Sequence, residues 1–291
     1  MWTPARRLAG ALAAATVVAA GGACGSPVGG AAAPRDPTSP TAAAPVPSAA
    51  APVSPSPTGV PDGPFVLGLG DSVPGAGGPC QRDPGCRSYV LVLADLATQA
   101  LGHPVAAVNR ARNDDVTSES LLADVRGNPR VRELVTKASL VVIQVGNNDW
   151  QGPCVFGNAA PCLEEGRRKV VARVGSILEE VVGLRGSPAG VRLVTYANTL
   201  TEDHPADGWG YEDTAANEEE LAAVFDTAIR RLDAGLCGQA EAHGVRCVDL
   251  LPAVNGPQGT QPSHLGGIHP TRVGHETIAG VVAAAGFDDV R

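Results

Sequence analysis

Three polar clusters, far apart in a chain of 291 residues, hold the residue types that nucleophilic catalysis requires. Gly70-Asp71-Ser72 carries a hydroxyl in a turn where glycine permits tight backbone geometry. Asn147-Asn148-Asp149 carries side-chain amides, and His269-Pro270 carries an imidazole near the far end of the chain. A serine hydroxyl attacks poorly unless a base removes its proton and N–H donors stabilise the oxyanion that forms. Ser72 as nucleophile, His269 as base and Asn148 as oxyanion donor would meet those needs together. Taken one at a time, the clusters say less. Gly-Asp-Ser is an ordinary turn, Asn-Asn-Asp an ordinary loop run, and a histidine before proline an ordinary surface residue.

What joins them is their order relative to the elements that must carry them. Short apolar runs at Phe65–Gly70, Val105–Asn109, Leu140–Val145, Val191–Ala197 and Val245–Leu250 read as buried strands. Helical spacing separates them. Tyr89, Leu93, Leu96 and Ala100 mark one helix, with Gly102 as its stop. Val170, Val174, Ile177 and Val181 mark a second, Leu221 to Leu236 a third, and Thr271–Ala285 a last. Strands alternating with helices imply a parallel sheet covered on both faces. Right-handed crossovers then give a three-layer α/β/α sandwich of flavodoxin-like type. In such a sheet, sites form beyond the carboxyl ends of the strands. Ser72 follows the first strand, Asn109–Asp115 the second and Asn147–Asp149 the third, so these three segments should share one edge, with His269 brought to it from the far end of the chain.

The rest of the chain reads differently. Arg6 and Arg7 precede an apolar run, Leu8–Ala20, which has the shape of an export signal within residues 1–24. That run is shorter than the about 20 residues a membrane span needs. Residues 25–64 are mostly Ala, Pro, Ser, Thr and Gly, with little to bury, and read as a disordered linker before a domain at 65–291. The formal charge of −8 argues against a nucleic-acid partner. There are seven cysteines. Six form sequence-local couples, Cys80–Cys86, Cys154–Cys162 and Cys237–Cys247, which suggest disulfides made in an oxidising compartment. Cys24 is left over, at the end of the export region. Gly21-Gly22-Ala23-Cys24 is similar to a lipoprotein signal, except that Gly21 stands where Leu or Val is usual. Membrane attachment through a lipid on Cys24 and free secretion are both open.

The clusters also carry a family resemblance. Leu69-Gly70-Asp71-Ser72-Val73 resembles block I of the SGNH (GDSL) hydrolases, Gly146-Asn147-Asn148-Asp149 their block III, and His269-Pro270 with Gly274-His275 their block V. The resemblance runs from about Phe65 to Ala285, and the cysteine couples are similar to those of secreted actinobacterial members. It implies an esterase or lipase that needs no metal or other cofactor. Ser72 would be the nucleophile and His269 the general base and then acid, with Asn148 and the Ser72 N–H as oxyanion donors. The substrate would be a small or polymer-linked ester.

Two departures from the family pattern stand out. An aspartate usually sits three residues before the histidine, and here that position is Gly266. Losing a carboxylate that orients the base costs about 10⁴ in turnover in a well-studied triad. A backbone carbonyl near Gly266 would leave a Ser–His dyad, and Asp207 or Asp213 would complete an atypical triad. In block II, the glycine whose N–H joins the oxyanion hole falls at Asp114. That carboxylate would oppose a developing oxyanion unless it faces solvent or meets Arg112. These departures keep a second reading alive, a weak or inactive envelope or glycan-binding protein on the same fold. Trp150, Phe156, Trp209 and Tyr211 are candidate pocket walls, with packing under loops as the plainer reading. His103, His204, His243 and His264 lack metal-ligand spacing, and His264 competes with His269 as base. Nothing suggests an interface, so a monomer is the default.

Overall fold

The computed structural model describes residues 59–112, 115–150, 159–199, 215–259, 261 and 263–290. The expected export region, Cys24 and the linker as far as residue 58 lie outside them. The strands are β1 (Phe65–Gly70), β2 (Ala106–Asn109), β3 (Leu140–Gln144), β4 (Val191–Val194) and β5 (Arg246–Val248). All pair in parallel, in the order β2-β1-β3-β4-β5. That is the flavodoxin-like order, with its switch point between β1 and β3. Every residue of β1, β3 and β4 is buried, as a sheet covered on both faces requires.

The long covering helices are α2 (Tyr89–Leu101), α6 (Ala159–Arg185), α7 (Ala215–Ala242) and α9 (Arg272–Ala284). Gly102 ends α2 in a left-handed conformation, φ 72°, with its N–H on the Thr98 carbonyl. That is the stop its sequence position suggests. Shorter helices complete the chain: α1 (Pro79–Arg82), α3 (Ser118–Gly127), α4 (Pro129–Lys137), α5 (Asn147–Trp150) and α8 (Leu250–Val254).

The expected fourth and fifth strands are longer than the observed ones, for a local reason. Beyond β4, Thr195 N–H still meets Val248 O at 3.0 Å, but Tyr196 N–H turns to the Asp233 carboxyl at 3.2 Å. Beyond β5, Asp249 leaves the ladder and caps α8 through Leu251 N–H at 3.2 Å.

The C-terminus is pinned by charge. Arg192 on β4 is 1% exposed. Its guanidinium forks onto Asp289, with Nη1 to Oδ2 at 2.7 Å, and also reaches Gly286 O at 3.2 Å. The guanidinium pulls the Asp289 carboxyl down to about 2. Such a depressed carboxylate stabilises the fold above its ordinary value of 3.8, and that contribution fades as pH falls toward 2. Asp289→Ala leaves a buried arginine unpaired and should cost about 3 kcal/mol in denaturant unfolding at neutral pH, with the difference from wild type shrinking near pH 2.

Candidate active site

β1 delivers Ser72 two residues beyond its last rung. Gly70 pairs with Gln144 of β3, and Asp71 N–H donates to Gln144 O at 3.2 Å. The chain then curls back over Ser72. Gly75 N–H reaches Asp71 O at 3.0 Å, Ala76 N–H reaches Val73 O at 3.2 Å, and Gly77 N–H reaches Ser72 O at 2.8 Å.

Two polar residues hold this loop from beneath. Asn109, at the end of β2, donates through Nδ2 to Pro74 O at 2.7 Å and to Ser88 Oγ at 3.1 Å. Asp71 is fully buried and takes Val73 N–H at 3.1 Å and the Tyr196 hydroxyl at 2.9 Å. That hydroxyl also accepts Asn147 N–H at 3.2 Å. One carboxyl therefore ties together the exits of β1, β3 and β4. Burial is the main cause that lifts its pKa to about 6, partly offset by those donors. Desolvation and the neighbouring Asp71 keep the Tyr196 phenol well above its usual range, so it remains a proton donor.

His269 lies just ahead of α9, whose N-cap is Thr271. Its Nε2 is 2.9 Å from Ser72 Oγ, across 197 residues of sequence. Burial disfavours the imidazolium and lowers the pKa below the ordinary 6.5, so the ring is neutral at pH 7. His264, the competing candidate, is exposed with φ 55°. His103 is exposed, and His243 donates from Nδ1 to Gln239 O at 2.8 Å.

The structure gives a steric reason for the missing carboxylate. Gly266 has φ 85°, and a Cβ there would lie 2.4 Å from Thr271 Cγ2. No aspartate fits without moving the cap of α9. The adjacent Leu265 carbonyl is engaged by Thr271, from its N–H at 2.9 Å and its hydroxyl at 3.3 Å. Among the described residues, the His269 ring has Ser72 as its hydrogen-bond partner. Asp207, Asp213, Asp114 and His204 lie outside the described residues, as do Phe156, Trp209, Tyr211 and the Trp150 side chain.

Asn148 sits in α5 and donates through Nδ2 to Val116 O at 3.0 Å. An amide NH₂ carries two protons, so one donor remains for another acceptor. The next residue, Asp149, fixes this segment from the other side. It accepts Ser118 N–H and the Ser118 hydroxyl, each at 2.7 Å, and Arg173 Nη1 at 3.2 Å. A carboxylate at the N-terminus of α3 is also where the helix dipole favours one.

Cys80 is bonded to Cys86 and Cys237 to Cys247. Cys162 is disulfide-bonded, and its expected partner Cys154 lies outside the described residues. The sequence reading assigns no role to Tyr196 and places Asn109 only in the polar segment that follows the second strand. The signal for both was position, since each is a polar-tipped residue where a predicted strand meets the shared edge.

The sheet order, the helices on both faces and the polar loops gathered at one edge define a three-layer α/β domain of the SGNH fold. The chain belongs to the GDSL-like Lipase/Acylhydrolase family, which it matches over residues 69–277. That makes it a hydrolase acting on esters. Its fold is similar to the lipase Lip_vut3 from a goat rumen metagenome, with 20% identity, 77% of this chain and 98% of that chain covered, and a TM-score of 0.58. It is similar to phospholipase A1 from Streptomyces albidoflavus NA297, with 18% identity, 77% and 99% covered, and a TM-score of 0.54. It is also similar to the extracellular lipase from Streptomyces rimosus, with 18% identity, 77% and 100% covered, and a TM-score of 0.52. Among curated proteins no sequence match was found.

Tyr196→Phe removes one hydroxyl from a buried relay and strands Asn147 N–H and the Asp71 carboxyl. The expected cost is about 1–3 kcal/mol, read as a drop of several degrees in a thermal melt.

Proposed function

We propose that this chain is an exported carboxylic ester hydrolase that works through an acyl-serine intermediate. The observation that carries the reading is the 2.9 Å contact between Ser72 Oγ and His269 Nε2, with a neutral imidazole, at the carboxyl edge of the sheet. Ser72 Oγ attacks the ester carbonyl carbon while Nε2 takes its proton. The resulting imidazolium passes that proton to the departing alcohol as the ester C–O bond breaks. Water, deprotonated by the same ring, then attacks the acyl carbon and frees Ser72. The Ser72 N–H and the second amide proton of Asn148 stabilise the oxyanion of each tetrahedral intermediate.

Lowering the histidine pKa by burial widens the working range on the acid side. Only the neutral ring accepts the serine proton, so activity should persist below the ordinary imidazole value of 6.5 and fail once the ring is protonated. The acid limb of kcat/KM, measured on a short p-nitrophenyl ester, is therefore expected below pH 6.5.

The basic and apolar N-terminal segment and the disulfides support export to an oxidising compartment. Among the described residues, no helix is long and apolar enough to cross a membrane. Attachment, if present, would use a lipid on Cys24.

Ser72→Ala tests the reading. Turnover of short p-nitrophenyl esters should fall by at least about 10³, with the melting temperature nearly unchanged. A fluorophosphonate should label wild type once per chain, at Ser72. Absence of labelling with the disulfides intact would instead favour a binding protein on this fold.

A further inference from the structure

Among the described residues no carboxylate reaches the His269 ring, and the structure supplies another element to hold it on the opposite wall. Gly77 and Gly78 run directly against His269. A Cβ built on Gly78 would lie 2.6 Å from His269 Cβ, 3.0 Å from Cγ and 3.2 Å from Nδ1. One built on Gly77 would lie 3.1 Å from His269 Cδ2 and 3.1 Å from Ser72 Cβ. A side chain at Gly78 would therefore collide with the Nδ1 side of the histidine and one at Gly77 would crowd its Cδ2 side, and the space at Gly77 is bounded by both base and nucleophile.

The wall is anchored at both ends. Upstream, Gly77 N–H is bonded to Ser72 O at 2.8 Å. Downstream, Pro79 and Cys80 open α1, and Cys80 is bonded to Cys86 six residues on, with their Cα atoms 5.2 Å apart. The two sulfurs and a ring nitrogen of His275 lie within 4.8 Å of one another. His275 is fully buried on α9, six residues past His269. The disulfide therefore braces the glycine wall against the same helix whose start presents the base.

We propose that the Gly77–Gly78 backbone, braced by the Cys80–Cys86 disulfide, is the positioning element that keeps the His269 ring aimed at Ser72, doing by contact what a carboxylate does by hydrogen bond. This rests on the hydrolase reading above. It assigns Gly77 and Gly78 as positioning residues and makes turnover depend on one particular disulfide.

Gly77→Ala is the sharper test, because Gly77 does not have the left-handed backbone of Gly78 (φ 63°) and its cost is contact alone. Its methyl would wedge between His269 and Ser72. A displacement of a few tenths of an ångström should lower kcat about tenfold or more, leave KM near wild type, and slow fluorophosphonate labelling in parallel. The paired variant Cys80→Ser with Cys86→Ser should show the same split. Cys237→Ser with Cys247→Ser, which opens the disulfide between α7 and β5, should keep wild-type kcat. All rates are read well below each variant's melting temperature, so a loss of folding cannot stand in for a loss of geometry. If Gly77→Ala fails to fold, the two cysteine pairs carry the comparison alone. Wild-type kcat and labelling rate in Gly77→Ala, or equal losses in the two cysteine pairs, would overturn the inference. An unlabelled wild type would instead remove the hydrolase reading on which it rests.

Discussion

The exit of the first strand and the start of the last helix must meet within a hydrogen bond, and most of the structure can be understood as the means of making them meet. Ser72 follows β1, which lies between β2 and β3 inside the sheet, while His269 belongs to the segment ahead of α9. The bridge between them is α2, which packs on β1, on β2 and on α9. Its first N–H groups, which no helix can satisfy internally, are met by Ser88 Oγ for Val90 at 3.1 Å and by His275 Nδ1 for Tyr89 at 3.3 Å. His275 can serve there because burial holds its pKa down to about 4, so at neutral pH it brings no charge into the core. Tyr89 and His275 also stack, with ring centroids 6.3 Å apart.

Around that contact, polar side chains act mainly on backbone. Asp71 belongs to the same short motif as Ser72, yet it is spent on Val73 N–H and the Tyr196 hydroxyl. Asp149 belongs to the same motif as Asn148, yet it is spent on the first turn of α3. Loops at a sheet edge have no ladder to satisfy their N–H groups, and buried carboxyls and amides supply the missing acceptors and donors. Each motif thus couples one residue that can do chemistry to one that holds it still.

Position 266 shows how local geometry constrains chemistry. Thr271 caps α9 through Gly274 N–H and occupies the space that a side chain at 266 would need. In this arrangement the cap of α9 and a carboxylate at 266 are mutually exclusive. Orientation of the imidazole must come from elsewhere, and packing against bare backbone is a physically different device from a hydrogen bond. It restricts the ring's tilt without stabilising its charged form, so its contribution should lie in geometry rather than in basicity.

Much of this was legible in the residues alone. The continuous apolar runs of β1 and β3 admit no interpretation but burial on both faces. The long periodic helices follow from spacing, and placing polar clusters after strands is enough to gather them at one edge. The paired helices α3 and α4 were not legible, because their apolar positions are few: Leu121 and Val125 in the first, and Val131, Leu134 and Val135 in the second. Nor was the reach of Tyr196 to Asp71, since a hydroxyl's partner depends on where two strands end. The sequence by itself determined the fold class, the shared edge and the residue types gathered there, because periodicity and order along the chain are one-dimensional properties. Only the tertiary structure decided what faces the histidine ring and why residue 266 can carry no side chain. Those are contacts between segments far apart in the chain, resolved at tenths of an ångström, and no pattern of neighbours along the polymer records them.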